Sequence, residues 1–257
     1  MTQTYADFAK ILSNTAYEAA VFDLDKTIIG TNTSRSIGLG ILSKERRKGH
    51  YANVAKGIWG AALATAYDKL GSEQRGLEAF IRSVNSAGRA NDKEAYAFAE
   101  QCIRRSLLPG VKGLVNMLHE YEIPVMIFTG GLDVSAQAAA NILDADAWGS
   151  CYAIDGNTIV PSRYAGGARP SKRVALENFL SHAGYRIENC IVFGDRETDI
   201  EAFAASGYAV ASPKATRRAK RAADLQVPDY RELCNAIPAR EAALNDLNGS
   251  GLYEPIP

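Results

Sequence analysis

Two pairs of aspartates have a spacing suited to holding a cation beside a phosphate group. Asp23 and Asp25 follow one short apolar run, and Asp195 and Asp199 follow another. Two carboxylates on the same side of a strand end repel each other unless a cation or a shared proton relieves the repulsion. Because Mg²⁺ prefers carboxylates, waters and phosphate oxygens as ligands, convergence of the two pairs predicts a Mg²⁺ site formed by all four side chains.

Each pair taken alone also has a purely structural explanation. Asp23 and Asp25 fit a solvated turn, and Asp195 fits the N-cap of a following helix, where its carboxylate would accept backbone hydrogen bonds. In that helix Asp195 and Asp199 would share one face near the positive end of the helix dipole. The functional interpretation therefore depends on both pairs reaching the same edge of a sheet.

Two further features suit an anionic substrate. Thr129, Gly130 and Gly131 offer a hydroxyl and an unobstructed backbone whose N–H groups can surround phosphate oxygens. Lys172 opens a predicted helix, from which its ammonium can project towards an anion. A glycine turn is more often a bend and a lysine more often a surface residue, so neither carries the prediction by itself.

The elements that would position these residues are short apolar runs that end in polar turns, at 19–22, 124–128 and 190–193. Such runs are typical of buried parallel strands, and helical patterns lie between them. The sequence therefore predicts an α/β fold with a doubly wound, Rossmann-like parallel sheet, in which ligands bind beyond the carboxyl ends of the strands. A hairpin is expected at 153–160 because Asp-Gly stands between apolar residues.

Residues 31–105 interrupt this alternation with successive helical patterns and no convincing strand. We predict an inserted helical cap domain at 31–105 and a core domain formed by 1–30 and 106–257. Leu108, Pro109 and Gly110 are the expected return hinge. The predicted cap helices span 35–48, 53–70, 73–84 and 92–106, and the stretch 245–251 is expected to be a loose tail.

The four groups of residues, in this order along the chain, resemble the motifs of the haloacid dehalogenase-like phosphatase superfamily. The position of the insertion is similar to that in the phosphoserine phosphatase-like branch, which has a helical cap. The resemblance spans about residues 18 to 225. The residues that carry it are Asp23-Leu24-Asp25-Lys26-Thr27, Thr129-Gly130-Gly131, Lys172 and Gly194-Asp195-Arg196-Glu197-Thr198-Asp199.

The resemblance implies a Mg²⁺-dependent phosphomonoester hydrolase that works through an aspartyl-phosphate. Asp23 would be the nucleophile and Asp25 the general acid and base, while Lys172 would hold the nucleophile and the phosphate. Thr27 and Thr129 would bind phosphate oxygens together with Gly130 and Gly131. Asp195 and Asp199 would organise the metal.

The resemblance supports the reaction type better than the substrate. Asn32 stands where phosphoserine phosphatases typically place a glutamate that binds the amine of the substrate, so phosphoserine is a doubtful substrate. We expect a small phosphorylated metabolite, a phosphate monoester. Two alternatives are a phosphotransferase that uses the same aspartyl-phosphate and a phosphatase of lipid-linked phosphate, the latter suggested by Lys44, Arg46, Arg47, Lys48 and His50 beside an apolar run in the cap.

Composition limits the partners. The 257 residues contain 29 basic and 29 acidic side chains, so the formal net charge is zero and no nucleic-acid partner is expected. No apolar segment is long enough to cross a bilayer, and we do not expect membrane contact. The four cysteines form no metal-binding pattern, which favours a reducing cytoplasm. We expect a monomer or a homodimer. Two other functions, a catalytically silent scaffold and a dehalogenase, are disfavoured.

Overall fold

The computed structural model describes residues 4–13, 17–49, 73–87, 91–168, 171–238 and 240. Its strands are β1 Ala19–Phe22, β2 Val125–Leu132, β3 Ala147–Asp155, β4 Thr158–Pro161, β5 Cys190–Gly194, β6 Tyr208–Ala211 and β7 Leu225–Gln226. Its α-helices are α1 Tyr5–Leu12, α2 Thr33–Arg47, α3 Glu73–Ala87, α4 Asp92–Ser106, α5 Val111–Glu120, α6 Asp133–Leu143, α7 Lys172–His182, α8 Ile200–Ala205, α9 Arg217–Ala222 and α10 Tyr230–Ala236. Short 3₁₀ turns lie at Ile187–Asn189 and Glu197–Asp199.

The strands form one sheet in the order β4-β3-β2-β1-β5-β6-β7. All neighbouring pairs are parallel except β3 with β4, which form an antiparallel hairpin. The chain runs outward from β1 in one direction through β2 and β3, and in the other through β5 and β6. This reversal beside β1 is a topological switch point, and the predicted α/β fold with a doubly wound sheet is confirmed.

The central strand β1 is buried along its whole length, and this is why its four residues are all apolar. Val21 and Phe22 pair with Val192 and Phe193 of β5, and the rings of Phe22 and Phe193 stack with their centroids 4.1 Å apart. On the other side Phe22 pairs with Ile127 of β2. A parallel strand with neighbours on both sides and helices on its faces has no solvated face, so it carries no alternating pattern.

The sequence analysis was accurate for the starts of the strands and less accurate for their ends. It ended the second strand before Thr129, but β2 continues to Leu132 and its pairing with β3 shifts register between these two residues. The hairpin is confirmed, with Gly156 at φ +60° in its turn. Strands β6 and β7 were not predicted from the sequence.

Helices α2, α3 and α4 lie between β1 and β2, within the insertion predicted from the sequence. The two chain segments that join this insertion to the sheet are bonded to each other. Gly30 N donates to Ser106 O at 2.7 Å, and Leu108 N donates to Ile28 O at 2.9 Å. The predicted helix at 53–70 and the predicted tail at 245–251 fall outside the described residues.

Contacts between the insertion and the rest of the chain involve α6 and the β3–β4 hairpin. Helix α4 packs against α6, and the Asn141 amide donates to the Tyr96 hydroxyl at 2.9 Å. The Asn85 side chain of α3 makes two hydrogen bonds with the backbone of Ile159 in the edge strand β4. The amide of Asn85 thus satisfies backbone groups at the open edge of the sheet.

Part of the basic character of α2 is neutralised inside the insertion. The Lys44 ammonium forms an ion pair with Glu94 of α4. Within the described ranges, none of the helices has the length and apolar character needed to span a bilayer.

Gly110 lies where the chain returns from the insertion and begins α5, and two constraints require glycine there. Its φ is +85°, in the left-handed region that residues with a side chain avoid. A Cβ atom at this position would lie 2.5 Å from Arg231 N and 2.7 Å from the carbonyl carbon of Tyr230. The start of α10 therefore packs directly on the backbone of the return hinge.

We expect Gly110→Ala to lower the free energy of unfolding by about 2 to 4 kcal/mol, because backbone strain and a clash with another backbone add. Gly156→Ala is the matched control, since Gly156 also has a positive φ but nothing lies within 4 Å of the added carbon. The control should lower the free energy of unfolding by only about 1 kcal/mol. Urea titration of the two variants and the unmodified protein measures both losses. Equal losses in the two variants would contradict the close packing of α10 on the hinge.

Candidate active site

The carboxyl ends of β1, β2 and β5 lie side by side, and most of the predicted site residues follow them. Asp23 comes directly after β1, and its backbone N–H donates to Phe193 O at 2.9 Å. Thr129 lies within β2, and Asp195 follows β5. The topology therefore brings residues that are more than 100 positions apart to one edge of the sheet, as the sequence predicted.

Three carboxylates form a buried cluster at this edge. In the described part of the chain, the side chains of Asp23, Asp195 and Asp199 place ligand atoms within 4.8 Å of one another. Their residues are 8%, 1% and 2% exposed, respectively. Burying like charges in contact is expensive, so the cluster requires compensating positive charge.

Lys172 supplies part of that charge. Its ammonium forms ion pairs with Asp23 and Asp199 and is itself largely buried. Burial by itself lowers the pKa of Lys172, but the carboxylates of Asp199 and Asp23 outweigh burial and raise this pKa above its ordinary value. Lys172 is therefore a fixed cation within the cluster, beside Asp23 as the resemblance implied.

Asp199 holds the turn after β5 in place. One carboxylate oxygen pairs with Lys172, and the other accepts hydrogen bonds from the backbone N–H groups of Asp195 at 2.9 Å and Arg196 at 3.1 Å. The alternative in which Asp195 is a helix N-cap is wrong, because Arg196 is the N-cap of the 3₁₀ turn and Asp199 is the N-cap of α8. Gly194 permits this arrangement, since a Cβ there would lie 2.7 Å from the Asp199 carboxylate.

Asp195 is the least compensated member of the cluster. Its Oδ2 atom is buried and has no hydrogen-bond partner among the described residues. Nε of Arg196 lies 3.3 Å from this oxygen without the alignment of a hydrogen bond. Burial, followed by the charges of Asp23 and Asp199, raises the pKa of Asp195 from 3.8 to about 9. Burial also raises the pKa of Asp23 to about 7, although Lys172 opposes this shift.

These features fit a divalent cation. Three carboxylates face two cationic side chains, and a buried carboxylate oxygen without a partner is the kind of atom that coordinates a metal. Asp195 is the clearest candidate for a direct ligand, because its Oδ2 atom has no partner among the described residues, whereas both oxygens of Asp23 and of Asp199 already accept hydrogen bonds. An all-oxygen donor set of this kind suits Mg²⁺.

Asp25 is not part of this cluster, contrary to the four-carboxylate arrangement expected from the sequence. Its Oδ1 atom accepts hydrogen bonds from the backbone N–H of Thr33 at 2.8 Å and from the Thr33 hydroxyl at 2.9 Å. The strand ends at Phe22 and a turn closed on the Leu24 carbonyl follows, so the extended geometry that would align the two side chains does not persist. Asp25 instead connects the loop after β1 to the first turn of α2.

The remaining predicted residues surround the cluster. The Thr27 hydroxyl donates to Asp23 Oδ2 at 3.4 Å, and the Thr129 hydroxyl accepts from Gly131 N at 3.0 Å. A Cβ at Gly130 would lie 3.7 Å from Cδ of Lys172, so this glycine lies beside the lysine stem. A Cβ at Gly131 would lie 3.1 Å from the hydroxyl of Ser34, which places α2 against the Thr129 turn.

Sequence analysis did not identify several residues that support this edge. Ser212 and Tyr230 donate to backbone carbonyls of the loop after β1, and Ser34 and Thr33 bring α2 to the site. The sequence gives little indication of these residues, because isolated hydroxyl residues that lie far from the motifs along the chain belong to no recognisable pattern. Arg196 was named only as part of a motif and given no role, yet it is buried beside Asp195.

The fold and this site together define an α/β protein with a carboxylate cluster at the switch point of a mostly parallel sheet. The haloacid dehalogenase-like hydrolase family matches residues 17–207, which is most of the chain. The chain therefore belongs to this hydrolase family, and the family predicted from the motifs is confirmed. No curated protein shows significant sequence similarity to the chain.

Solved structures share the fold at low sequence identity. A phospho-aspartyl intermediate analogue of phosphoserine phosphatase is 18% identical with a TM-score of 0.60, covering 86% of this chain and 99% of the other. A protein of unknown function from Bordetella pertussis Tohama I is 18% identical with a TM-score of 0.61, covering 83% and 98%. A probable phosphoserine phosphatase from Vibrio cholerae is 18% identical with a TM-score of 0.59, covering 92% and 68%.

The raised pKa of Asp195 predicts how the stability of the metal-free protein depends on pH. The folded state keeps a proton that the unfolded chain releases near pH 4, so the free energy of unfolding should fall as pH rises from about 4 to about 9. Urea unfolding in EDTA at several pH values measures this slope. Asp195→Asn should make this slope shallower and should raise the free energy of unfolding at pH 8. The slope that remains in this variant is the contribution of Asp23, whose pKa is also raised.

Addition of Mg²⁺ should flatten the slope of the unmodified protein and should leave that of Asp195→Asn nearly unchanged. Identical slopes in the two proteins without metal would contradict the assignment of the uncompensated charge to Asp195.

Proposed function

We propose that this hydrolase is a Mg²⁺-dependent phosphomonoesterase that acts through an aspartyl-phosphate on a small phosphorylated metabolite. The observation that carries the proposal is the buried cluster of Asp23, Asp195 and Asp199 around Lys172 at the switch point. Transfer of a phosphoryl group depends mainly on positioning and neutralisation of charge, and this cluster supplies fixed charges of both signs.

Asp23 is the proposed nucleophile. Its carboxylate oxygen attacks phosphorus, the bond from phosphorus to the ester oxygen breaks, and an acyl phosphate forms on Asp23. Lys172 holds one oxygen of Asp23 and the Thr27 hydroxyl donates to the other, so the carboxylate is oriented before substrate arrives. Water then attacks the acyl phosphate and regenerates the carboxylate.

Asp25 is the proposed general acid and base. In its protonated form it gives a proton to the departing alkoxide, and as a carboxylate it takes a proton from the water that attacks the intermediate. Its hydrogen bonds from Thr33 fix one carboxylate oxygen and so orient the carboxyl group. Because Thr33 opens α2, the acid is connected to the inserted helices.

Asp23 and Asp195 would hold Mg²⁺, with Asp199 fixing the turn that carries Asp195. When bound, the ion neutralises charge on the phosphate oxygens and on the carboxylates. The Thr129 hydroxyl and the backbone N–H groups of Gly130 and Gly131 are the proposed contacts for the remaining phosphate oxygens. The Gly131 N–H donates to the Thr129 hydroxyl in the structure and would exchange this bond for one to phosphate.

We further propose that residues 31–105 form a cap domain over a core made of 1–30 and 106–257. The hydrogen-bonded pair of connecting segments supports a hinge between them, and a cap of this kind excludes water and contacts the rest of the substrate. The ion pair of Lys44 with Glu94 removes one charge from the basic face of α2, which favours a small metabolite over a lipid surface.

Asp23→Asn should lower the turnover of 4-nitrophenyl phosphate with Mg²⁺ by about 10³-fold or more, because an amide is not a nucleophile for this step. Asp155→Asn is the matched control, an exposed aspartate in the turn of the β3–β4 hairpin, and should keep normal turnover. EDTA should abolish the activity and added Mg²⁺ should restore it. Undiminished turnover of Asp23→Asn would contradict the proposal.

Asp25→Asn should separate the two chemical steps. 4-Nitrophenolate leaves without help from an acid, so the first step should proceed, while attack of water on the acyl phosphate should slow by about 10² to 10⁴-fold. A rapid-mixing experiment should then show a burst of one 4-nitrophenolate per enzyme, and the phosphorylated peptide should contain Asp23. Loss of the burst together with turnover would contradict the division of roles between Asp23 and Asp25.

Assaying released phosphate with a panel of phosphorylated sugars, amino acids, nucleotides and lipids identifies the substrate class. Phosphoserine should be a poor substrate, because Asn32 gives no negative charge for its amine. Inclusion of glycerol or another acceptor alcohol measures the ratio of transferred to free phosphate. Free phosphate alone is the expected result for a hydrolase.

A further inference from the structure

The loop that follows β1 carries the proposed nucleophile in a conformation that needs support. Lys26 has φ +62°, which is uncommon for a residue with a side chain. The backbone N–H groups of Thr27, Ile28 and Ile29 all donate to the carbonyl of Leu24. One carbonyl thus closes the turn, and the carbonyls of Lys26 and Thr27 must find partners elsewhere.

Those partners are two side-chain hydroxyls from the C-terminal part of the chain. The Ser212 hydroxyl donates to Lys26 O at 3.0 Å, and the Tyr230 hydroxyl donates to Thr27 O at 3.0 Å. Ser212, Tyr230 and Thr27 are each 0% exposed, so solvent does not compete for the bond between Tyr230 and Thr27. Over the described residues no backbone N–H donates to either carbonyl.

Both donors are themselves held by rigid elements. Ser212 directly follows β6, and its N–H donates to Gly194 O at 2.9 Å beside the start of the Asp195 turn. Tyr230 begins α10, whose start packs on Gly110 at the return hinge. The two hydroxyls therefore connect the loop that carries Asp23 to the sheet and to the return hinge.

The chemistry of the Tyr230 phenol suits a permanent donor. Burial, then the negative charges of Asp195 and Asp23, raises the pKa of Tyr230 well above its ordinary value, so the hydroxyl keeps its proton over any working pH. Removal of the hydroxyl leaves a buried carbonyl without a donor, which is a costly arrangement that the loop can relieve only by moving.

We propose that Ser212 and Tyr230 are positioning residues that hold the Asp23–Thr27 loop in the geometry in which Asp23 meets both Lys172 and the Thr27 hydroxyl. The inference rests on the proposed function for its effect on catalysis, but its structural part does not. Neither residue touches the substrate in this account. Each acts through a backbone carbonyl of the loop that carries the reacting carboxylate.

Tyr230→Phe and Ser212→Ala test this inference, because each deletes one hydroxyl and little volume. With 4-nitrophenyl phosphate, each should lower kcat by about 10- to 100-fold and change KM by less than about threefold, since a displaced nucleophile affects chemistry more than binding. The double variant should lose less than the product of the two single effects, because both hydroxyls support one loop.

Tyr121→Phe is the matched control. Tyr121 is also buried, and its phenol donates to a backbone carbonyl, that of Pro238, at 2.8 Å. The control should lose a comparable amount of stability in a thermal melt and retain kcat within about twofold. A fall of kcat in Tyr121→Phe as large as in Tyr230→Phe would show a general loss of packing and overturn the inference.

Hydrogen exchange gives a readout that does not depend on activity. In Tyr230→Phe and Ser212→Ala, a peptide covering residues 20–30 should exchange at least about tenfold faster than in the unmodified protein, and in Tyr121→Phe it should not. If the unmodified protein hydrolyses no phosphate ester, the proposed function fails and hydrogen exchange alone decides the inference. Unchanged exchange in both variants, or unchanged kcat in an active enzyme, would overturn it.

Discussion

The burial of three carboxylates in mutual contact is the constraint on which the rest of this molecule depends. Asp23, Asp195 and Asp199 repel one another in a region that is largely shielded from solvent, so the fold tolerates them only with positive charge at the same place. Lys172 provides one such charge inside the cluster, and Arg196 lies at its margin. The charge that is still missing, and the unsatisfied oxygen of Asp195, are together the physical reason to expect a divalent cation.

This constraint explains why the supporting structure is so extensive. A cluster of like charges stays together only if each carboxylate is fixed by groups that cannot move away. Asp199 is fixed by two backbone N–H groups and by Lys172, and the loop carrying Asp23 is closed on the Leu24 carbonyl. Preorganisation of this kind lowers the cost of rearrangement when charge develops on a phosphoryl group, which is how such sites accelerate reactions.

The inserted helices are connected to the same edge through few but direct contacts. Asp25 accepts two hydrogen bonds from Thr33 at the start of α2, and Ser34 lies against Gly131. On the other side of the insertion, Gly110 packs on the backbone of Tyr230 and Arg231. Movement of the helices would therefore displace the proposed acid, through its contact with Thr33. It would also displace the loop that carries the proposed nucleophile, through the contact of Gly110 with Tyr230.

The sequence by itself determined the class of the fold and most residues of the site. Buried parallel strands such as Ala19–Phe22 appear as short apolar runs, and because parallel strands end at a common edge, the polar residues after them are brought together whatever the details. The order of the motifs was then sufficient for the family. The family's chemistry depends on local patterns, and local patterns are visible in a sequence.

Only the tertiary structure decided which carboxylates form the cluster and what holds them. Asp25 leaves the cluster because β1 ends at Phe22 and Thr33 of α2 binds the Asp25 carboxylate, which no spacing rule anticipates. Ser212 and Tyr230 reach the loop across more than 180 residues of chain, and a single hydroxyl carries no periodic signal. Hydrogen bonds between distant segments depend on where rigid elements come to rest after packing, and that is a property of the whole fold.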